Sequence, residues 1–230
     1  MNAPTRLPMR WTGKNQPTLL QQAMAGVLET RPLEKNETGP LIFAAIETQD
    51  MLPFLVAAKS LRWQLGRGKF AVMDRGSLSG EDKALLAHHC ADPLILVSRA
   101  DNAPFPDTRW WDWIAPVIGR FHMEYRILLD LRRVTLDPSQ DMLGAISRNR
   151  GFVGPDTEGL MGIPAMSGGI AEAQDLLERL PAGCLSASDT PYRLVRDLIF
   201  EGTGTVLLDE PEGQEMDVAA VRRTIDTLAN

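Results

Sequence analysis

Apolar residues follow two alternating rhythms along this chain. "LIFAAI" (41–46) is an unbroken apolar run, as expected of a strand covered on both faces. "PFLVAAKSLRWQL" (53–65) changes to helical spacing, with Phe54, Ala58, Leu61 and Leu65 on one side and Pro53 suited to a first turn. "KFAVM" (69–73) predicts a second strand. "SGEDKALLAHH" (79–89) predicts a helix capped by Ser79, with Asp82 in the reciprocal capping position. "LILVS" (94–98) predicts a third strand, and "TRWWDWIAPVIGR" (108–120) a helix despite Pro116. "YRILLDL" (125–131) predicts a fourth strand, and "SQDMLGAISRN" (139–149) a helix capped by Ser139 or Asp137.

Outside this stretch the rhythm changes. Residues 1–17 are rich in Pro, Arg and Asn and read as a loose arm. "TLLQQAMAGVLETR" (18–31) places Leu19, Leu20, Ala23, Met24, Val27 and Leu28 on one helical face, and residues 31–40 read as a linker. Beyond residue 150, "GFVGPDTEGLMGIPAMSGG" (151–169) is glycine-rich and reads as loop. "IAEAQDLLERL" (170–180) and "PYRLVRDLIF" (191–200) read as helices, and "TVLLDE" (205–210) as a strand. "MDVAAVRRTIDTL" (216–228) closes the chain as an amphipathic helix with Val218, Val221, Ile225 and Leu228 inward. Strands alternating with helices imply right-handed crossovers and an α/β fold, a mostly parallel sheet flanked by helices. The expected organisation is an N-terminal arm and helix over 1–40 and one α/β domain over 41–230.

Composition adds boundaries. The chain has 230 residues, 44% hydrophobic and 23% charged, enough to bury a core without disulfides. Its net charge of −6 argues against a general nucleic-acid binder, which needs cations to replace phosphate counterions. Cys90 and Cys184 lie far apart, so a reducing, cytoplasmic setting is expected. Neither a secretory leader nor an apolar run of the roughly 20 residues that span a bilayer is evident, so no membrane span is expected.

Open α/β sheets bind ligands beyond the carboxyl ends of their strands. Glu47, Asp74 and Asp130 fall there. Each can serve a ligand or simply cap the turn that follows it. "HHC" (88–90) lacks ligand spacing for a metal, since adjacent helical histidines diverge. "RWWDW" (109–113) suits helix–sheet packing better than stacking on a ligand. "GTGT" (202–205) lacks the lysine of a phosphate loop and reads as a turn. Ser167 lacks the full G-x-S-x-G pattern of a nucleophile elbow and fits a cap for the helix from Ile170.

Four phrases in order resemble bacterial nucleotide-sugar glycosyltransferases of the GT-A fold. "AKSL" (58–61) is similar to their "LKSL", "DRGSLSGED" (74–82) to "DDGSLT-x-ED", "LLDLRRVTLDP" (128–138) to "LD-x-D" with a following "dp", and "MSGG" (166–169) to an "NSG" loop. The likeness spans roughly residues 40–180. It implies transfer of a sugar from a UDP- or GDP-linked donor to an acceptor, with Glu47, Asp74, Arg75, Asp130, Ser167 and Gly168 beside the donor. It also implies Mg²⁺ or Mn²⁺ on the DxD carboxylates, of which Asp130 is the first. Here Arg75 and Arg132 stand where the family has acids. A guanidinium cannot bind a metal cation but can pair with a diphosphate. Two readings follow: a metal-independent transferase in which Arg132, with Arg133 or Arg75, stabilises the leaving phosphate, or a catalytically silent binding protein. An inverting transferase needs a base to activate its acceptor; Asp156, Glu158 and Asp189 lie in the later half and nothing in the sequence selects among them, Asp189 being carried forward as the catalytic candidate. A different small α/β nucleotide-binding enzyme is the third reading.

Overall fold

The computed structural model describes residues 18–97, 119–154, 160–166, 205–210 and 213–229. Six strands follow the order of the sequence reading or extend it: β1 Leu41–Ile46, β2 Lys69–Asp74, β3 Leu94–Val97, β4 Arg126–Leu128, β5 Arg133–Val134 and β6 Phe152–Val153. Three more are β7 Met161–Ile163, β8 Val206–Leu207 and β9 Gln214–Glu215. The helices are α1 Leu19–Ala25, α2 Met51–Leu65, α3 Gly80–His89, α4 Gln140–Ser147 and α5 Val218–Ala229. The helices predicted over 108–120, 170–180 and 191–200 lie essentially outside the described residues, as does the "RWWDW" cluster.

A seven-stranded sheet runs β3-β2-β1-β4-β7-β6-β8, and β5 pairs with β9 in a separate ribbon. β1 is parallel to both β2 and β4, β2 to β3, and β6 to β8; β7 runs antiparallel to β4 and β6. The chain therefore winds outward from β1 through β2 to β3, then returns to the other side of β1 with β4. That reversal is a topological switch point at the carboxyl ends of β1 and β4, the position where open α/β sheets take their ligands.

Two strands fall within the glycine-rich stretch read as loop, which corrects that expectation. β6 and β7 are only two and three residues long and wholly buried, too short to show periodicity. Their stability comes from pairing with each other and with β4. Gly162 makes the pairing fit: a side chain there would run into the Phe152 ring and the Tyr125 hydroxyl, which lie across it.

Local chemistry explains the helix boundaries. Thr18 and Gln21 form a reciprocal capping box on α1, as do Ser79 and Asp82 on α3, and the Ser139 hydroxyl caps α4. Gly66 ends α2 in the left-handed conformation at φ 65°. Met24 and Val27, from α1 and the 3₁₀ turn after it, join the same core as β1, α2 and α5. On α5, Val221 and Leu228 are buried and Val218 and Ile225 half-buried, with Ala220 and Thr224 completing the inward face.

α2 is buried almost all round, from Met51 to Arg62 apart from Pro53. Such a helix must satisfy its polar side chains internally. Lys59 donates to Thr30 Oγ1 (2.5 Å) and the Arg31 carbonyl (2.6 Å) and lies 3.4 Å from His89 Nδ1. Burial lowers its ammonium to about 8. His89 is pushed down to about 4 by burial and then by the neighbouring Lys59, so near neutrality its imidazole is uncharged and can accept. Burial also raises the Cys90 thiol to about 12, leaving it protonated and inert.

Two stability measurements follow. The folded pKa of Lys59 lies below its unfolded value, so the unfolded chain holds the extra proton between pH 8 and 10.5, and this group's contribution rises with pH there. Wild type should gain about 3 kcal/mol over Lys59→Met across that window, by the conversion of pKa shift to free energy. Urea unfolding of both proteins at several pH values reads the difference, and a pH-independent gap would contradict it. Gly162→Ala overpacks against the Phe152 ring and the Tyr125 hydroxyl and should cost about 1–3 kcal/mol, measured in the same way.

Candidate functional site

Three acids predicted at strand ends do converge on the carboxyl edge of the sheet, and each has a cation beside it. Asp74 is the last residue of β2 and 3% exposed. Its Oδ1 accepts from the backbone N–H of Gly76 (2.8 Å) and Leu78 (3.2 Å), and Oδ2 lies 2.9 Å from Lys83 Nζ. Burial pushes its pKa upward, but the Lys83 bond and the two amides outweigh that, so the net shift is downward and the carboxylate is charged. Gly76 sits at φ 94°, the turn conformation that glycine adopts without strain.

Asp130 repeats the arrangement two residues past β4. Its side chain is 3% exposed. Oδ1 accepts from the Arg132 backbone N–H (2.9 Å) and from Arg132 Nε (3.0 Å), and Oδ2 from Arg132 Nη2 (3.3 Å). Arg133 Nε lies 3.6 Å from Oδ2. This is an Asx turn joined to a two-toothed guanidinium contact. The strand predicted to run to residue 131 stops at Leu128 because this turn lifts the chain from the sheet. The last sheet-like bond is from Leu129 N–H to the Phe43 carbonyl (2.9 Å).

Glu47 follows β1, with Oε1 3.9 Å from Arg75 Nη1, both side chains about one-third exposed. Arg75 N–H donates to the Ile46 carbonyl (3.2 Å), which holds the two loops together. Thr48 strengthens the join: its N–H donates to Ser77 Oγ (3.0 Å) and its hydroxyl reaches the Ser77 carbonyl and Asp82 Oδ2. Arg75 thus pairs with Glu47 and Arg132 with Asp130.

This donor set does not fit a divalent metal. Both Asp130 oxygens already face guanidinium groups, and a cation placed against them would meet Arg132 and Arg133. Among the described residues no group of three or more His, Cys, Asp or Glu could hold a metal ion. The arrangement instead suits an anion. Helix N-termini are alternative anion sites. Here the first turn of α3 already carries Glu81 and Asp82, and that of α4 carries Asp141. Arg132, with its side chain 59% exposed, is the most accessible of the three arginines here.

Ser167, Gly168, Asp156, Glu158 and Asp189 lie outside the described residues. Several participants were not legible as site residues. Lys83 had one signal: a cation near a helix N-terminus opposes the macrodipole and invites a nearby acid. Ser60 lay inside the "AKSL" phrase. Its hydroxyl donates to the Ala57 carbonyl and accepts the Thr135 N–H (3.0 Å), anchoring the segment after the arginines to α2. No described helix is long and apolar enough to cross a membrane.

Comparison with known proteins adds the fold. No protein-family model and no curated protein matches the chain. Among solved structures, the glycosyltransferase GlyE of Streptococcus pneumoniae TIGR4 superposes with a TM-score of 0.50 at 12% identity, covering 75% of this chain and 46% of that one. This chain thus matches less than half of the GlyE chain. An active-site mutant of LgtC matches with a TM-score of 0.47 at 15% identity, covering 73% of this chain and 72% of its own. A putative nucleotide-diphospho-sugar transferase from Desulfovibrio desulfuricans G20 matches with a TM-score of 0.47 at 9% identity, covering 83% and 96%. With its mostly parallel sheet, flanking helices and switch point between β1 and β4, the chain has a GT-A-like fold, as in GlyE.

Proposed function

We propose that this protein is a glycosyltransferase that takes a UDP- or GDP-linked sugar donor and holds its diphosphate with arginine rather than with a metal. One observation carries the reading. At the end of β4, beside the switch point, Asp130 holds the Arg132 guanidinium in place while leaving more than half of that side chain in solvent. A guanidinium held in this way is preorganised for phosphate oxygens and for the charge that grows on a leaving diphosphate. Arg75 and Arg133 extend the positive field.

The reaction balances without a further reagent. The acceptor hydroxyl oxygen bonds to the anomeric carbon. The bond from that carbon to the diphosphate oxygen breaks, and its electron pair leaves with the nucleoside diphosphate. The hydroxyl proton passes to a carboxylate base, for which we propose Asp189. Differential stabilisation of the leaving group by Arg132 then lowers the barrier.

Thermal unfolding with UDP, GDP and their sugars, with and without Mn²⁺, tests donor binding. Saturation at a hundred times Kd adds about 2.7 kcal/mol to the folded state, a rise of roughly 5–10 °C for a chain of this size. The rise is expected without metal and should vanish in Arg132→Ala. A rise that requires Mn²⁺ would overturn the arginine reading, and no rise with any nucleotide would overturn donor binding. Arg75→Ala should weaken binding less, because its pair with Glu47 is long and lacks the buried carboxylate that holds Arg132. Titration of that variant with UDP ranks the two arginines.

A further inference from the structure

We infer that Gly213, some 80 residues beyond the arginines, is a positioning residue for them; this rests on the diphosphate reading above. The β5–β9 ribbon brings it there. Arg133 lies opposite Glu215, and Val134 opposite Gln214. Met216 N–H donates to the Arg132 carbonyl (2.7 Å), so β9 clamps the backbone of the arginine that grips Asp130. Arg133 Nη1 donates to the Gly213 carbonyl (3.2 Å) while its Nε faces Asp130 Oδ2 (3.6 Å). A single guanidinium therefore spans β9 and the strand-end acid.

Only glycine allows β9 to come this close. Gly213 sits at φ 81°, and a Cβ there would lie 2.6 Å from the Val134 carbonyl oxygen and 3.1 Å from its carbon. Those are backbone atoms with nowhere to retreat. Val134 is fully buried, and the next residue is tied to α2 through the Thr135 N–H and Ser60 Oγ. A side chain at 213 must therefore push β9 away, taking with it both the Arg133 contact and the clamp on Arg132. Two-residue strands add little stability of their own, since even complete hairpins are marginal in water. The ribbon's value lies in geometry. Arg223 on α5 holds it from outside, Nη2 donating to Gln214 Oε1 (2.6 Å).

Calorimetric titration of the full chain with inorganic pyrophosphate, and separately with UDP, tests this. Gly213→Ala should weaken binding about tenfold per folded molecule, and Arg223→Ala two- to threefold. Arg132→Ala should weaken it strongly, and adding Gly213→Ala to that variant should change the affinity less than twofold. That non-additivity is the signature of action through Arg132, which a general loss of stability would not produce. Wild-type affinity in Gly213→Ala alongside a weakened Arg132→Ala would overturn the positioning role and leave the diphosphate reading standing. Additive losses would overturn it equally. Wild type that binds neither probe, or Arg132→Ala that binds as well as wild type, would overturn the diphosphate reading and this inference with it. Should Gly213→Ala fail to fold, Arg223→Ala decides alone, and unchanged affinity there counts against the role.

Discussion

A helix with almost no solvent face imposes the constraint on which this molecule turns. α2 lies against β1, α1, α3, β5 and α5, and from Met51 to Arg62 it shows little but buried surface. An unpartnered polar group in such a place costs on the order of 1–3 kcal/mol, so each must be bonded to something. The partners are the elements that need fixing. Lys59 ties down Thr30 and Arg31 after α1 and meets His89 of α3. Ser60 takes the Thr135 N–H, Arg62 Nε donates to the Gly68 carbonyl (3.0 Å), and Gln64 reaches the Leu136 carbonyl. The polar exceptions on an apolar helix thereby set the register of three loops and the end of α3, and one of those loops leads straight back to Arg132.

The same economy governs the carboxyl edge of the sheet. Acids at strand ends would repel one another and any anionic ligand. Each is instead matched by a cation, Glu47 with Arg75, Asp74 with Lys83, and Asp130 with Arg132 and Arg133. Asp74 and Asp130 also bind the backbone of their own turns, so their charge serves structure first. Buried carboxylates in such turns orient the cations around them. What reaches solvent is the arginine they hold, so the exposed charge at the end of β4 is positive.

Much of this architecture was legible in the residues, and the reasons are physical. β1 was read with its observed bounds because a strand covered on both faces must be continuously apolar, and α3 because Ser79 and Asp82 form a cap by local geometry alone. β6 and β7 were hidden because two or three residues carry no period, and their pairing is wholly tertiary. The strand-end acids could be placed from the positional rule, yet their partners could not. Nothing local announces that Lys83 faces Asp74, or that Gly213 lies under Arg133. Glycines in turns are common, and the one that matters is distinguished only by the backbone it touches.

That last contrast bears on how Arg132 is held. Placing an arginine beside Asp130 needs one residue, but holding the guanidinium in one orientation needs support from three directions. Asp130 supplies the charge, Ser60 anchors the chain beyond β5, and the Met216 N–H fixes the Arg132 carbonyl. A guanidinium on a flexible stem spends rotamer entropy on every contact it makes, and a fixed backbone with a buried counter-charge removes much of that cost before any ligand arrives. Preorganisation of this kind costs little here, because the bonds that provide it also close the fold around α2. The site and the core are thus built from one set of interactions, and a change to either is expected to be felt in both.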